Sequence, residues 1–243
     1  MAEDSSASTG AIEIGGLAKS FGNRLVLRGI DLTIKHGESV VIFGPNGAGK
    51  TTLIKILATI MKPSAGQVAI NGINIKDNAE EARRHIGIVT HQTFLYSNLT
   101  GYENLEFYCR MYDIPGHKER ILESVAMLGM TARLHDRVYT LSRGMQQRLS
   151  IARALLHRPE IILLDEPETG LDQQAVSILW EELQREERQY TVVMTTHNLE
   201  RGLNLCDRML ILDRGRIVHE SPSRGMNLVD LLKTYHENTG VRT

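Results

Sequence analysis

Hydrophobic positions along this chain follow two rhythms. Ser39-Val-Val-Ile-Phe43 and Ile161-Ile-Leu-Leu164 are short unbroken apolar runs. Their length, and the β-branched residues and flanking Gly37 and Gly44 of the first, predict strands buried in a parallel sheet. Thr191 to Thr195 and Met209 to Leu212 read the same way. Gln67 to Gly72 alternates and closes on Asn-Gly, a hairpin-turn signal. Ala11 to Gly16 and Leu25 to Ile34 carry shorter strand-like patterns, broken by Gly, Asn and Lys. The second rhythm is helical. Leu53, Ile54, Ile56, Leu57 and Ile60 predict a helix over Thr51 to Met61. Tyr102 to Tyr112, Lys118 to Leu128 and Gln146 to Leu156 repeat that spacing, so residues 95–159 read as mostly helical, interrupted by Pro115-Gly116 and closed by Pro159. Ala175 to Arg188 predicts an amphipathic helix, and Leu228, Val229, Leu231, Leu232 and Tyr235 predict another near the end.

Strands that alternate with helices imply an α/β fold on a mainly parallel sheet. Its first strands look antiparallel, and the helical middle interrupts the core as an insertion. The expected organisation is a small polar, disordered tail at 1–10, one body at 11–225 that contains the helical part at about 95–159, and a helical extension at 226–243. No internal repeat is visible. The final apolar stripe is short and has no strongly basic face, so it reads as a packing or dimer-contact helix rather than a membrane anchor.

Composition narrows the function. The chain has 243 residues, with 28 Lys+Arg against 29 Asp+Glu and a net charge of −1. That balance speaks against nucleic-acid binding through bulk charge. A membrane span needs about 20 apolar residues, far more than any run here. Met1-Ala-Glu-Asp-Ser-Ser lacks the basic start and apolar stretch of a signal peptide. Cys109 and Cys206 show no metal-ligand or redox spacing.

The chemistry starts at Gly44-Pro45-Asn46-Gly47-Ala48-Gly49-Lys50-Thr51, which fits G-x-x-x-x-G-K-[ST]. Its context matches the mechanism: the motif follows a buried strand and opens a helix. Glycines let backbone N–H groups turn inward around phosphate oxygens, and the helix dipole points its positive end at the same place. Lys50 reaches toward the β- and γ-phosphates, and the Thr51 hydroxyl suits Mg²⁺. Asp165-Glu166 ends another apolar strand, where parallel α/β sheets bind ligands. Asp165 is placed to support Mg²⁺, directly or through water. Glu166 is placed to polarise a water in line with the γ-phosphate.

With these residues in hand, the chain resembles the ATP-binding subunits of ABC transporters over about Ala11 to Ser221. The family's motifs occur in the family's order: Phe21 at the aromatic that stacks on adenine, Gly44 to Thr52 as Walker A, Gln92 at the Q-loop, Leu141-Ser142-Arg143-Gly144-Met145 at the signature, Ile161 to Asp165 as Walker B, Thr169-Gly170-Leu171-Asp172 at the D-loop and His197 as the switch histidine. The fold implied is a P-loop NTPase with a RecA-like core, an N-terminal antiparallel β subdomain and an inserted α-helical subdomain. The activity implied is a Mg²⁺-dependent ATPase in which Glu166, His197 and Lys50 are catalytic. ATP binding is assigned to Phe21, Gly44 to Thr52 and Gln92, and the metal to Thr51, Gln92 and Asp165. Ser142, Arg143, Gly144 and Met145 would grip the ATP of a second copy, in a head-to-tail homodimer. The signature departs from the family's Leu-Ser-Gly-Gly-Gln. Arg143 either adds positive charge near the γ-phosphate or faces solvent. Met145 cannot replace the hydrogen bonds of Gln, and Gln146 is not expected to compensate.

The resemblance further implies an integral membrane transporter subunit as partner, a place on the cytoplasmic face of the cell membrane, and no nucleic acid. Gln92 with the Thr93 to Thr100 segment is the expected route of coupling. Thr90-His91-Gln92, Leu99-Thr100 and Tyr102 to Tyr108 look most like the haem-exporter ATPase of cytochrome c maturation. Drug, lipid or polysaccharide exporters are the alternative. A soluble ABC ATPase of translation, repair or cluster assembly fits less well, since the chain has one cassette and no basic stripe. No Asn-Lys-x-Asp stretch marks a GTPase.

Overall fold

The computed structural model describes residues 10–167, 173–184 and 189–240. The first half runs β1 (Ile12–Phe21), β2 (Arg24–Ile34), β3 (Ser39–Phe43), α1 (Lys50–Leu57), β4 (Ala65–Ile70), β5 (Ile73–Asn74), α2 (Ala79–Arg84), β6 (Ile86–Val89), α3 (Gly101–Met111) and α4 (His117–Met127). The second half runs α5 (Arg143–Leu155), β7 (Ile161–Asp165), α6 (Gln173–Leu183), β8 (Thr191–Thr195), α7 (Leu199–Leu205), β9 (Arg208–Asp213), β10 (Arg216–Pro222) and α8 (Leu228–Thr239).

The strands form two sheets. One is antiparallel, in the order β2-β1-β4-β5. The other has the order β10-β9-β3-β8-β7-β6 and is parallel except where β10 returns along β9. The apolar runs are explained by burial on both faces. Strand side chains alternate, so Val41 and Phe43 enter one core with Ile162, Leu164 and Met194. Val40 and Ile42 enter the other with Ile161, Leu163 and Val193. The first core also takes Leu105, Ile121, Val125, Leu149 and Ile151 from α3, α4 and α5. The second takes α1 and the antiparallel sheet, through Leu53, Ile54, Leu17 and Ile30.

The expected α/β architecture, the antiparallel first sheet and the helical middle are all present. Helix α3 begins in a reciprocal cap: Thr100 Oγ1 accepts from Glu103 N at 3.1 Å, and Glu103 Oε2 accepts from Thr100 N at 2.7 Å. The Asn71-Gly72 turn has φ of 47° and 77°, as a tight hairpin turn requires. Helix α1 stops at Leu57 and not at Met61, because the chain enters the left-handed region at Thr59, φ 59°. The short elements α2, β6, α7 and β10 were not legible from periodicity. Helix α8 lies against α7 and β9 and buries Leu231 and Tyr235. The tail at 1–9 lies outside the described residues. Among the described residues no helix is long and apolar enough to cross a membrane.

Candidate functional site

Strand β3 delivers the glycine-rich loop between β9 and β8, and α1 leaves it toward β7 and β8. The loop's backbone is dictated by its neighbours. A Cβ on Gly44, φ 151°, would lie 2.1 Å from Leu212 O, so only glycine fits against β9. Gly47, φ 79°, meets nothing within 4 Å and faces open space. Lys50 is only 5% exposed. Its Nζ donates to Gly44 O at 2.7 Å and Pro45 O at 3.3 Å, folding the ammonium into the loop. Burial pulls its pKa down, against the opposing pull of Glu166 and Asp165. Helix α1 has no acidic residue in its own first turn, and the carboxylates that face its positive end, Asp165 and Glu166, come from the end of β7.

The carboxylates come from β7. Parallel pairing sets Asp165 beside Thr195 of β8. Asp165 Oδ1 accepts from Thr51 Oγ1 at 3.1 Å and from Thr195 Oγ1 at 2.8 Å. Glu166 N donates to Thr195 O and Oγ1, both at 3.1 Å, which holds Glu166 at φ 50°. Its Oε1 lies 2.6 Å from His197 Nε2. Thus Thr51, Asp165, Glu166 and His197 form one connected group beside Lys50. Thr195 was missed in the sequence; its only signal is its place at the end of a strand neighbouring Asp165. Thr51 and Asp165 present a hydroxyl and a carboxylate together, hard oxygen donors of the kind Mg²⁺ takes. Gln92 is exposed, and Thr90 Oγ1 ties only its backbone, donating to Gln92 O and accepting from Gln92 N. Gln92 is not joined to the Thr51–Asp165 pair. Among the described residues no three His, Cys, Asp or Glu cluster as a metal site of their own.

A cavity of about 380 Å³ runs from this group to Phe21, walled by Asn46 to Thr52, Glu166, Arg24 and Val26. Phe21 is 47% exposed at the end of β1. A larger concavity of about 680 Å³ shares Arg24, Val26 and Gly47 with it and continues to Arg28 and Arg214. Arg24 and Val26 were not singled out from the sequence.

The signature residues do not line that cavity. Ser142 caps α5, its hydroxyl accepting from Met145 N at 3.3 Å. Ser142 and Arg143 are exposed. Gln146 does not substitute for the missing Gln, because its Nε2 is committed to Val138 O and Leu141 O, each at 3.0 Å. Instead the buried Gln147 reaches from α5 to Thr90 O at 3.0 Å, linking the signature helix to the Gln92 loop. Thr169 to Asp172 lie outside the described residues.

A family profile described as ABC transporter matches residues 27–169. The chain is 39% identical over 210 residues to the uncharacterized ABC transporter ATP-binding protein YhcH of Bacillus subtilis (strain 168), across 85% of this chain and 68% of that protein. It is 36% identical over 205 residues to the linearmycin resistance ATP-binding protein LnrL of the same organism, across 83% of this chain and 66% of that one. Among solved structures, a dimeric ATP-binding cassette in a post-hydrolysis state, bound to ADP and phosphate, matches with a TM-score of 0.79 and 32% identity, over 88% of this chain and 100% of the other.

Proposed function

This chain belongs to the ABC transporter ATP-binding family, and from that premise we propose that it is the Mg²⁺-dependent ATPase subunit that powers export through a separate membrane subunit. The observation that carries this reading is the joined group Thr51–Asp165–Thr195–Glu166–His197 next to a buried lysine in a glycine loop.

In this reading the base stacks on Phe21, the phosphates lie in the loop of Gly44 to Thr52, and Thr51 and Asp165, together with Gln92, would hold Mg²⁺. When bound, Mg²⁺ would supply charge neutralisation at the phosphate oxygens. Lys50 exchanges its bonds to Gly44 O and Pro45 O for bonds to phosphate, which are stronger because both partners are charged. Glu166 accepts the proton of the water that displaces ADP from the γ-phosphorus. His197 holds Glu166 in position before the nucleotide is engaged, then contacts the γ-phosphate. The exposed Ser142 and Arg143, with the half-buried Gly144 and Met145, reach the nucleotide of a second copy, head to tail. ATP then favours the closed pair through contacts that ADP lacks. The dimeric relative supports that assembly.

The route to the membrane subunit is the surface after Gln92. Tyr96, Phe107 and Met111 are exposed, with Tyr96 and Phe107 edge to face at 5.2 Å. Phe94 and Leu95 of the same segment are half-buried. We assign docking to Tyr96, Phe107 and Met111, and packing to Phe94 and Leu95.

Haem export in cytochrome c maturation is supported by the 90–108 stretch alone. Export of a drug-like cargo is supported by the linearmycin resistance relative. Purification of the tagged chain from solubilised membranes tests both. The expected result is a co-purifying polytopic membrane subunit, and bound haem decides for the first cargo. Recovery with ribosomes or DNA and no membrane protein overturns the reading. Tyr96→Ala is expected to keep the ATPase of the isolated chain and lose its stimulation by that subunit.

A further inference from the structure

We propose that Lys19 is a positioning residue that fixes the Phe21 ring as the base platform and holds it in register with the phosphate loop. This rests on the reading that a nucleotide base stacks on Phe21.

Lys19 and Phe21 stand two residues apart on β1. The Lys19 ammonium lies 5.0 Å from the centroid of the Phe21 ring. The ring's π face carries partial negative charge and attracts the cation. Lys19 is not among the residues that wall the cavity that Phe21 helps to form.

The same ammonium is anchored. Its Nζ donates to Lys62 O at 2.8 Å. Lys62 belongs to the segment that leaves α1, the helix that begins in the phosphate loop. Two more bonds stitch this segment to β1: Ser64 N donates to Ala18 O at 2.8 Å, and Ser20 N donates to Ser64 Oγ at 3.0 Å. Of the three ties, only Lys19 also touches the ring. It therefore connects the part of the site that meets the base to the far end of the helix that meets the phosphates. Without it the Phe21 side chain, half exposed at the tip of the β1–β2 hairpin, loses its support on one face.

The test is calorimetric titration of the full chain with Mg²⁺ and a non-hydrolysable ATP analogue, beside inorganic triphosphate, which has no base. Lys19→Met keeps the aliphatic stem and removes the charge. It is expected to weaken the nucleotide about threefold to fivefold, the scale of ordering one side chain on binding, and to leave inorganic triphosphate unchanged. Lys19→Arg, which can face the ring and donate to Lys62 O, is expected to restore affinity. In a Phe21→Ala background, Lys19→Met is expected to add nothing. Equal weakening of nucleotide and triphosphate would show that Lys19 acts on the loop by charge alone and overturns the proposal. So does unchanged nucleotide affinity in Lys19→Met while Phe21→Ala weakens it. Unchanged affinity in Phe21→Ala overturns the base reading itself.

Discussion

Glu166 Oε1 and His197 Nε2 lie 2.6 Å apart, at the C-terminal ends of the neighbouring strands β7 and β8. Neither residue could be linked to the other by spacing, since 30 residues separate them and the pairing follows from parallel register. The contact means that His197 governs where the carboxylate points. His197→Ala is expected to lower the ATPase kcat by about 100-fold or more, the scale of a positioned acid–base group, and to change nucleotide affinity by less than about threefold. Steady-state kinetics with calorimetry check this; a kcat within a few-fold of the parent chain contradicts it.

The two loop glycines have different reasons to be glycine. Gly44→Ala would place a methyl 2.1 Å from Leu212 O and must push the loop away from β9. The expected cost is about 3 kcal/mol or more, as for buried clashes joined to backbone strain. Gly47→Ala meets open space and pays only for its φ of 79°, about 1 kcal/mol. Urea denaturation of the two variants checks the order, and equal costs contradict it.

The inner strands of the parallel sheet were legible because each is buried on both faces, so Val40 to Phe43 and Ile161 to Leu164 have no polar alternation to confuse them. The glycine loop was legible because its chemistry demands Gly, Lys and Thr at set spacings. Strand β6 was hidden by its length and by Gly87, which is there because a Cβ would lie 2.5 Å from Ala154 O. Edge strand β10 shows only half-buried positions on its inner side. Thr195 was invisible for a different reason. A threonine at a strand end carries no signal until register sets it against Asp165. Gln92 was legible by order alone, and its side chain stands apart from the Thr51–Asp165 pair.

His157 gives the molecule an acid-sensitive joint. Its ring stacks on Tyr112 at 4.0 Å, its Nε2 lies 3.0 Å from Ile86 O, and burial pushes its pKa down to about 4. The folded chain therefore binds this proton less readily than the unfolded one. The stabilisation is complete above the unfolded value of about 6.5 and is lost as pH falls toward 4. The full span is worth up to about 3 kcal/mol. His157→Phe keeps an aromatic ring for Tyr112 and removes the titration. Urea midpoints from pH 7 to pH 4 are expected to fall more steeply for the parent chain than for the variant; parallel profiles contradict this.

The central claim is that this site binds a nucleoside triphosphate between two copies and that Glu166 drives its cleavage. Glu166→Gln keeps a hydrogen bond to His197 within reach but removes the base. With Mg²⁺ and ATP, light scattering after size exclusion is the direct measurement. The variant is expected to run as a dimer that retains uncleaved ATP, while the parent chain turns over and separates. A Glu166→Gln chain that stays monomeric under saturating Mg²⁺ and ATP, or that hydrolyses ATP at the parent rate, contradicts the account.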